Sequence, residues 1–400
     1  MRVGWLILVA GVAACTAGGI DTTGLADDAS VPVPEPGPPP VADGGLDAES
    51  GSNDAGPCTD CEYFPETCTS DVICPNGPVA PEQPGGYDKR TRINVIRGRS
   101  QSDVWVAGAL GALAHFDGAS WRREDLGTRE SMRGLWLRDS SEISLPFLQR
   151  AYGRGVSLPD GGPPPSADGW SALAPSYAAG QAPPGAGSAQ LVSAWAAPGA
   201  EWLWCLARGI SAGGIWRLRQ GSTTLEGSAV IPASTCNSSP WCRFMSSVHG
   251  ASADELWVVG ESGATVRITN ATGATPTAKE FDSQTWTALN GVWAASASEA
   301  WAVGVMGTIR HYKGDPAQWD VVSDVPTHVD LNAVWGSSST DVWAVGDEGV
   351  VLHYDGKSWS RVKVAGLGAE RPNLTAVWVA AGGHVWVGGE GVVLSLRGKQ

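Results

Sequence analysis

The sequence is short of the residues and patterns that define several large protein classes. Charged residues make up 17 % of its 400 residues, which is too few for a coiled coil or a highly charged disordered chain. No segment has a convincing helical period. The Gly-x-Ser-x-Gly, His-Glu-x-x-His, Walker and dinucleotide-binding patterns do not occur. The sequence therefore excludes an all-helical fold and the enzyme classes that carry these signatures.

Basic residues are missing from one part of the chain only. Residues 16–88 contain 14 Asp and Glu and no Lys or Arg, whereas 26 basic and 27 acidic residues follow from Lys89 onward. The formal net charge of −14 therefore belongs to the N-terminal part, and the remainder is close to neutral. Binding of nucleic acid requires a basic surface. We predict no nucleic-acid partner.

The N-terminus has the order of a bacterial export signal. Met1-Arg2 is followed by an apolar run from Val3 to Val12, which is too short for a permanent transmembrane helix and is typical of a signal-peptide core. Val12-Ala-Ala-Cys15 resembles the bacterial lipobox, which implies acylation of Cys15 after removal of residues 1–14. The alternative is an ordinary signal peptide with an unrelated cysteine. Thr16 stands where Asp would mark inner-membrane retention, which favours the outer membrane. We predict a monomer in the cell envelope, held to a membrane through its lipid anchor only.

Residues 15–57 form the predicted tether. They are rich in Asp, Gly, Ala and Pro and have almost no large apolar side chains. Such a segment cannot bury enough apolar surface to offset its chain entropy. We predict a disordered stalk with a reach of roughly 36 Å.

The cysteines fall into two groups beyond Cys15. In an oxidising compartment they favour disulfides over a zinc or redox site. The disulfide candidates are Cys58, Cys61, Cys68 and Cys74 in a small Cys-rich segment over 58–86, and Cys236 with Cys242 further along. The pairing of the first four stays open. Cys205, in a strand-like run, is predicted to be a buried free thiol, although a disulfide through Cys205 is an alternative.

An internal repeat occupies the rest of the chain. Its clearest copy contains Leu331-Asn-Ala-Val-Trp335, Asp341-Val-Trp343-Ala-Val-Gly346, His353-Tyr-Asp355-Gly and Trp359. Seven copies start near residues 93, 132, 191, 246, 289, 331 and 374. The last four are 42 to 43 residues apart, the length of a four-stranded propeller blade. Asp355-Gly356 supplies the positive φ of a tight turn between the third and fourth strands. We predict an all-β fold, a seven-bladed β-propeller over 87–400.

The repeat resembles those of Asp-box propellers and of photosystem-assembly-factor-like propellers, and is closer to the Trp-Ala-Val-Gly repeat lipoproteins of myxobacteria. An Asp-box has Ser-x-Asp-x-Gly-x-x-Trp, whereas Tyr354-Asp-Gly-Lys-Ser-Trp359 is one residue shorter. The resemblance implies the architecture and not a sialidase activity. The seventh copy ends without a fourth strand, and the segment around Tyr87 to Arg92 is a candidate to complete it and close the ring.

Repeated residues are interpreted as structural. His115, His311 and His353 take the same position in different blades, so they are carried around the ring and do not converge on a metal. The repeated tryptophans are expected to pack between blades. Trp170, Trp216 and Trp241 fall outside the pattern and are the predicted ligand contacts. The insertions at 150–186 and 220–245 are candidates for a binding face, with drift in tolerant loops as the alternative.

These observations predict a non-catalytic binding or scaffold protein without cofactor or metal. Its partner is predicted to be an envelope protein or a surface polysaccharide. The alternative is an extracytoplasmic lyase or hydrolase acting on glycans. Arginines clustered with carboxylates at the central channel mouth would favour the enzyme. A channel lined by small residues, with aromatic surface on the insertions, would favour the binder.

Overall fold

The computed structural model describes residues 60–79, 86–157, 162, 164–178, 182–183, 190–208, 213–231, 236, 242 and 244–396. The predicted signal peptide, the predicted lipidation site Cys15, the whole predicted tether over 15–57, Cys58 and Trp241 lie outside these residues. The described residues belong to one compact unit.

Almost all of this unit is β-structure, because short apolar runs alternate with turn residues along the chain. One strand precedes the repeats, β1 (Ile73–Pro75). Blade 1 is β2 (Ile93–Ser100), β3 (Asp103–Gly108), β4 (Leu113–Phe116) and β5 (Trp121–Arg123). Blade 2 is β6 (Gly134–Leu137), β7 (Glu142–Phe147), β8 (Arg150–Arg154) and β9 (Ser171–Leu173). Blade 3 contains β10 (Ser176–Tyr177), β11 (Gln190–Trp195), β12 (Trp202–Arg208), β13 (Gly214–Gln220) and β14 (Leu225–Ile231).

The later blades are more regular. Blade 4 is β15 (Met245–Ser252), β16 (Glu255–Gly260), β17 (Thr265–Thr269) and β18 (Thr277–Phe281). Blade 5 is β19 (Leu289–Ser296), β20 (Glu299–Gly304), β21 (Ile309–Tyr312) and β22 (Asp320–Val321). Blade 6 is β23 (Leu331–Ser338), β24 (Asp341–Gly346), β25 (Val351–Tyr354) and β26 (Trp359–Arg361). Blade 7 begins with β27 (Leu374–Ala380), β28 (His384–Gly389) and β29 (Val393–Leu396).

Single 3₁₀ turns join the second and third strands of four blades. They are Ala109–Gly111, Glu261–Gly263, Val305–Gly307 and Asp347–Gly349, and a further 3₁₀ turn lies at Cys61–Tyr63. The last residue of each of the four is a glycine with positive φ. At Gly111 an added Cβ would lie 2.2 Å from the carbonyl oxygen of Thr128. Glycine is needed there because the turn packs directly against the linker to the next blade.

The innermost strands close into a ring around a central channel. Each contacts the innermost strand of the next blade, and β27 of blade 7 contacts β2 of blade 1. Side chains bond neighbouring blades together: Asn290 Nδ2 donates to the Leu331 carbonyl (3.0 Å), and Asn332 Nδ2 to the Leu374 carbonyl (2.9 Å). Thr375 Oγ1 donates to the Ile93 carbonyl (2.5 Å) and makes the same connection across the closure. The fold is therefore a β-propeller, as the repeat predicts.

The fourth strand of blade 7 comes from the Cys-rich segment. Strand β1 pairs antiparallel with β29, with Cys74 opposite Ser395. The suggestion that residues around Tyr87 to Arg92 complete this blade is wrong. Tyr87 is buried instead, with its hydroxyl donating to the Leu113 carbonyl (2.6 Å), and Arg92 forms only an isolated bridge with Glu390. A segment that precedes the repeats and the last repeat thus share one sheet.

A Trp-His-carboxylate unit repeats in the core of blades 1, 5 and 6. In blade 1 the ring of His115 stacks on Trp105 (centroids 4.3 Å apart), and its Nε2 lies 2.9 Å from Asp103 Oδ1. Trp105 Nε1 donates to the same oxygen (3.0 Å). The histidines are therefore used in packing, far from one another in the ring. No group of three His, Cys, Asp or Glu side chains that could hold a metal ion occurs within the described residues.

The first insertion extends blade 3. Strand β10 pairs parallel with β14, and a single pair, Gln190 with Phe147, joins blades 2 and 3 into one sheet. The ring of Tyr177 lies against Trp216 (centroids 5.7 Å), and its hydroxyl donates to the Leu148 carbonyl (2.7 Å). The described part of this insertion therefore fastens blade 3 to blade 2.

Two predicted disulfides are formed. Cys68 pairs with Cys74, and Cys236 with Cys242. Cys61 is also disulfide-bonded, and Cys205 is the buried free cysteine of the described residues. Disulfides are typical of extracellular and envelope proteins. No helix within the described part of the chain is long and apolar enough to cross a membrane.

Candidate functional site

A cavity associated with the channel lies at one mouth, along the second halves of the innermost strands. The fifth residue of every Leu-Asn-Ala-Val-Trp motif lines it. These residues are Arg97, Trp136, Trp195, His249, Trp293, Trp335 and Trp378. We call this space, of about 490 Å³, the mouth cavity. Five indole side chains therefore meet one guanidinium and one imidazole at the end of the channel.

Two mouth tryptophans pack against a glycine of the next blade. A Cβ added at Gly98 would lie 2.5 Å from Trp378 Cη2, and one at Gly336 would lie 2.6 Å from Trp293 Cη2. These two indoles thus occupy the space that a glycine leaves free in the following strand. In blade 7 the equivalent position is Val379, whose branched side chain leaves no such space. The tryptophan of blade 6, Trp335, must therefore take another position.

Trp335 is turned into the channel. Its ring lies 4.6 Å from the Arg97 guanidinium of blade 1, and 4.9 Å from the His249 ring of blade 4, measured to the ring centroid. These same three residues line both the mouth cavity and the inner channel, a smaller space of about 130 Å³. Together they form the floor of the mouth cavity. Beyond the floor the channel is lined largely by small side chains, among them Ser193, Ser247, Gly291, Ala333 and Ala376.

The floor holds a cation beside a neutral imidazole. Burial lowers the pKa of His249 well below its ordinary value of 6.5, and the charge of Arg97 lowers it further. Burial also lowers the pKa of Arg97 to about 10, so the guanidinium remains charged at neutral pH. His249 Nδ1 accepts a hydrogen bond from the backbone N–H of Ala294 (3.1 Å). Nδ1 is therefore fixed as the acceptor, and Nε2 carries the single proton of the neutral imidazole, which leaves the ring without a free basic nitrogen.

Two arginines of the mouth cavity have no carboxylate partner among the described residues. Arg97 donates to the carbonyls of Ile96 (2.8 Å) and Ala194 (3.4 Å). Arg138 lies over the Trp136 ring (5.0 Å) and donates to Gln220 Oε1 (3.1 Å).

Arg99 differs from these two. It is neutralised by Asp103 (2.9 Å) and Glu142 (2.7 Å). Asp103 and Glu142 do not line the mouth cavity, and the acidic residue that does is Asp139. The cavity is thus locally positive in a propeller that is close to neutral.

A side groove leads outward from the mouth cavity between blades 2 and 3. It has a volume of about 360 Å³ and includes Ser140, Ser141, Gln220 and Gly221. It shares five lining residues with the mouth cavity: Trp136, Leu137, Arg138, Asp139 and Gly199. The two spaces are therefore adjacent, with Arg138 at their junction.

The predicted ligand contacts lie elsewhere. Trp170 is 1 % exposed, and its Nε1 donates to the buried carboxylate of Glu124 (3.1 Å). Trp216 is 3 % exposed under Tyr177. Burial makes both of them core residues and corrects their prediction as ligand contacts, while Trp241 lies outside the described residues.

The mouth cavity was missed because its residues belong to the repeat. One signal was present in the sequence. The fifth motif position is Trp in five blades but Arg97 in blade 1 and His249 in blade 4. A polar replacement at a repeated apolar position indicates a site where the ring is asymmetric.

The channel and its mouth place this chain among β-propellers with a central cavity large enough for a ligand. No protein-family model and no curated protein matches the chain. Its fold is similar to YCF48 from Cyanidioschyzon merolae, with a TM-score of 0.57 at 13 % identity, covering 76 % of this chain and 95 % of that one. YCF48 bound to a D1 peptide gives a TM-score of 0.57 at 12 % identity, covering 83 % and 97 %.

Enzymes share the fold as well. Virginiamycin B lyase from Staphylococcus aureus gives a TM-score of 0.56 at 11 % identity, covering 77 % of this chain and 94 % of that one. Identities this low show the propeller fold alone.

Proposed function

We propose that this protein is a non-catalytic binding module of the cell envelope, and that its partner binds at the mouth cavity. The partner is an envelope protein or a surface polysaccharide. The observation that carries the proposal is the cavity itself: aromatic walls, two arginines without carboxylate partners, and a closed floor. Cavities of this kind, mostly apolar with a few convergent polar groups, are typical ligand sites.

The chemistry of the mouth cavity supports binding over catalysis. Acid–base catalysis needs groups that exchange protons near neutral pH. The imidazole of His249 is held neutral, and Asp139 is the single carboxylate of the lining. Small residues are frequent in the lining of the inner channel, which is the feature expected of a binder, whereas the arginines and Asp139 at the mouth are the feature expected of an enzyme. With one carboxylate and a neutral imidazole beside them, these arginines are better suited to bind an anion than to exchange protons. The aromatic surface lies at the mouth and not on the insertions.

The envelope address rests on separate features. The disulfides support an oxidising compartment. The apolar run after Arg2 and the Val12-Ala-Ala-Cys15 pattern support export followed by lipid attachment at Cys15. In this proposal the acidic segment over 15–57 is a tether that holds a monomeric propeller away from the outer membrane.

An affinity experiment tests the proposal. Full-length protein, kept oxidised, is incubated with detergent-solubilised envelope of the source cells, and retained protein and glycan are identified separately. The same experiment is run with Arg138→Gln, at the cavity junction, and with Arg90→Gln, an exposed arginine paired only with Asp88. We expect a stoichiometric partner that is retained by the native protein and by Arg90→Gln but lost with Arg138→Gln. A partner that binds all three proteins equally would place the site elsewhere, and breakdown of a retained glycan with time would show an enzyme.

A further inference from the structure

The donors of the mouth cavity outnumber its acceptors. The indole N–H groups of its five tryptophans donate to no acceptor in the described part of the chain, and none of these nitrogens is fully buried. Arg97 and Arg138 add guanidinium N–H groups beyond those already bonded to the protein. Against them stands the carboxylate of Asp139. A ligand that satisfies this cavity must bring acceptors and negative charge.

An extended peptide satisfies this pattern poorly. Peptides that bind along their main chain add a strand to a free sheet edge. Each complete innermost strand is hydrogen-bonded to its second strand on one side, for example β23 to β24 and β27 to β28, so its free edge faces the inner channel, whose volume of about 130 Å³ is too small for an added peptide strand. The backbone N–H groups of a peptide would also face a donor-rich wall in which Asp139 provides the one carboxylate acceptor. Sugar hydroxyls, in contrast, accept as well as donate hydrogen bonds.

The shape of the site suits one end of a linear polymer. Arg97 and His249 both contact the ring of Trp335 across the channel, so this floor obstructs the passage of a polymer chain below the mouth cavity. The side groove leaves between blades 2 and 3, with Arg138 at the junction. One arginine therefore lies at the closed end and another at the exit, and aromatic surface separates them.

Resting on the function proposed above, we propose that the ligand is an acidic polysaccharide whose sugars carry carboxylates, a polyuronate. Arg97 binds a carboxylate at the closed end of the mouth cavity. Arg138 binds a second carboxylate where the polymer enters the side groove. The indole surfaces and N–H groups between them contact sugar rings and hydroxyls.

Calorimetric titration with oligosaccharides of defined length tests this assignment. The probes are oligogalacturonates, neutral galactose oligosaccharides of the same length, and oligoglutamate as an acidic peptide. We expect the full-length protein to bind oligogalacturonate, more weakly at high salt because the interaction is between charges. The neutral oligosaccharide and the peptide should bind at least about tenfold more weakly, the equivalent of one lost charged hydrogen bond.

Variants locate the binding site. Arg97→Gln and Arg138→Gln should each weaken oligogalacturonate binding by about tenfold to hundredfold, while Arg90→Gln leaves it unchanged. Because Arg97 also contacts the floor, its variant is first compared with the native protein by thermal unfolding, and Arg97→Lys, which keeps the charge, should restore part of the affinity.

Different experimental outcomes overturn the polyuronate assignment and the proposed function. Equal binding of neutral and acidic sugars, or binding of oligoglutamate alone, overturns the polyuronate assignment but leaves the mouth cavity as the site. Unchanged titrations with both Gln variants overturn the site for this ligand. A pull-down partner that is insensitive to Arg138→Gln overturns the proposed function itself.

Discussion

At the scale of single residues, one methylene group distinguishes blade 5 from blades 1 and 6. In blade 6, Asp341 Oδ1 accepts from both Trp343 Nε1 (2.8 Å) and His353 Nε2 (2.8 Å). Blade 5 has Glu299 at this position, and its Oε1 lies 3.2 Å from His311 Nε2. The indole nitrogen of Trp301 is buried and has no hydrogen-bond partner. The unpaired indole N–H therefore destabilises blade 5, whereas the corresponding indole N–H groups of blades 1 and 6 are hydrogen-bonded.

Glu299→Asp should stabilise the protein. The shorter carboxylate takes the position that Asp103 and Asp341 hold in their blades, and gives Trp301 Nε1 an acceptor. We expect the free energy of unfolding to rise by about 1 kcal/mol, the value of one added hydrogen bond, as measured by denaturant titration. The matched change in blade 6, Asp341→Glu, should lower it by a similar amount. If Glu299→Asp also lowers the free energy of unfolding, the length of the carboxylate side chain does not decide whether Trp301 Nε1 finds an acceptor.

At the scale of elements, the short strand β1 completes the four-stranded sheet of blade 7. Ile73 is fully buried, opposite Leu396, and its backbone N–H donates to the Lys363 carbonyl (3.0 Å). Phe64, from the same segment, packs into this core, and Arg371 lies 3.6 Å above its ring. The Cys-rich segment is therefore held by the last two blades and covers an edge that would otherwise be exposed.

Ile73→Ala should be strongly destabilising for this reason. Removal of a fully buried side chain leaves a cavity, and we expect a loss of about 2–4 kcal/mol in the free energy of unfolding. Val321→Ala, on the outer strand of blade 5 and 51 % exposed, is the control and should change it by less than about 0.5 kcal/mol. Similar values for both variants, measured by denaturant titration, would show that the last blade does not depend on β1.

At the scale of the whole molecule, buried histidines make stability depend on pH. His249 has a pKa well below 6.5 through burial and the charge of Arg97. Burial, with a further contribution from Lys313 and an opposing one from Asp320, lowers the pKa of His311 to about 4. The unfolded chain therefore binds protons below pH 6.5 that the folded protein does not bind. Stability is greatest above this pH and is lost as the pH falls towards 4.

Each histidine should contribute a slope of up to about 1.4 kcal/mol per pH unit in this window. Denaturant titrations between neutral pH and about pH 4.5 measure the slope. In His249→Gln the free energy of unfolding should depend less steeply on pH, by the contribution of one proton. An unchanged slope would mean that His249 is protonated in the folded protein.

The sequence determined much of this architecture by itself. Each repeat encodes its turns and strands locally, through Asp-Gly at a hairpin and alternating apolar residues, so the strand positions could be predicted from one good copy. The propeller was predicted from the spacing of 42 to 43 residues between copies. The recurrence of His115, His311 and His353 at one position also indicated that they are structural. The Cys68 and Cys74 candidates became a disulfide, although their pairing could not be read from spacing.

Only the tertiary structure decided how the ring closes and where its site lies. Strand β1 pairs with a strand far along the chain, with Cys74 opposite Ser395, which is 321 residues away, and no local pattern encodes such a pairing. Trp335 has the same motif as Trp293, yet it turns into the channel because the neighbouring blade carries Val379 instead of glycine. The lining of the mouth cavity includes the same motif position from each of seven repeats, so its chemistry exists only when the ring brings these residues together.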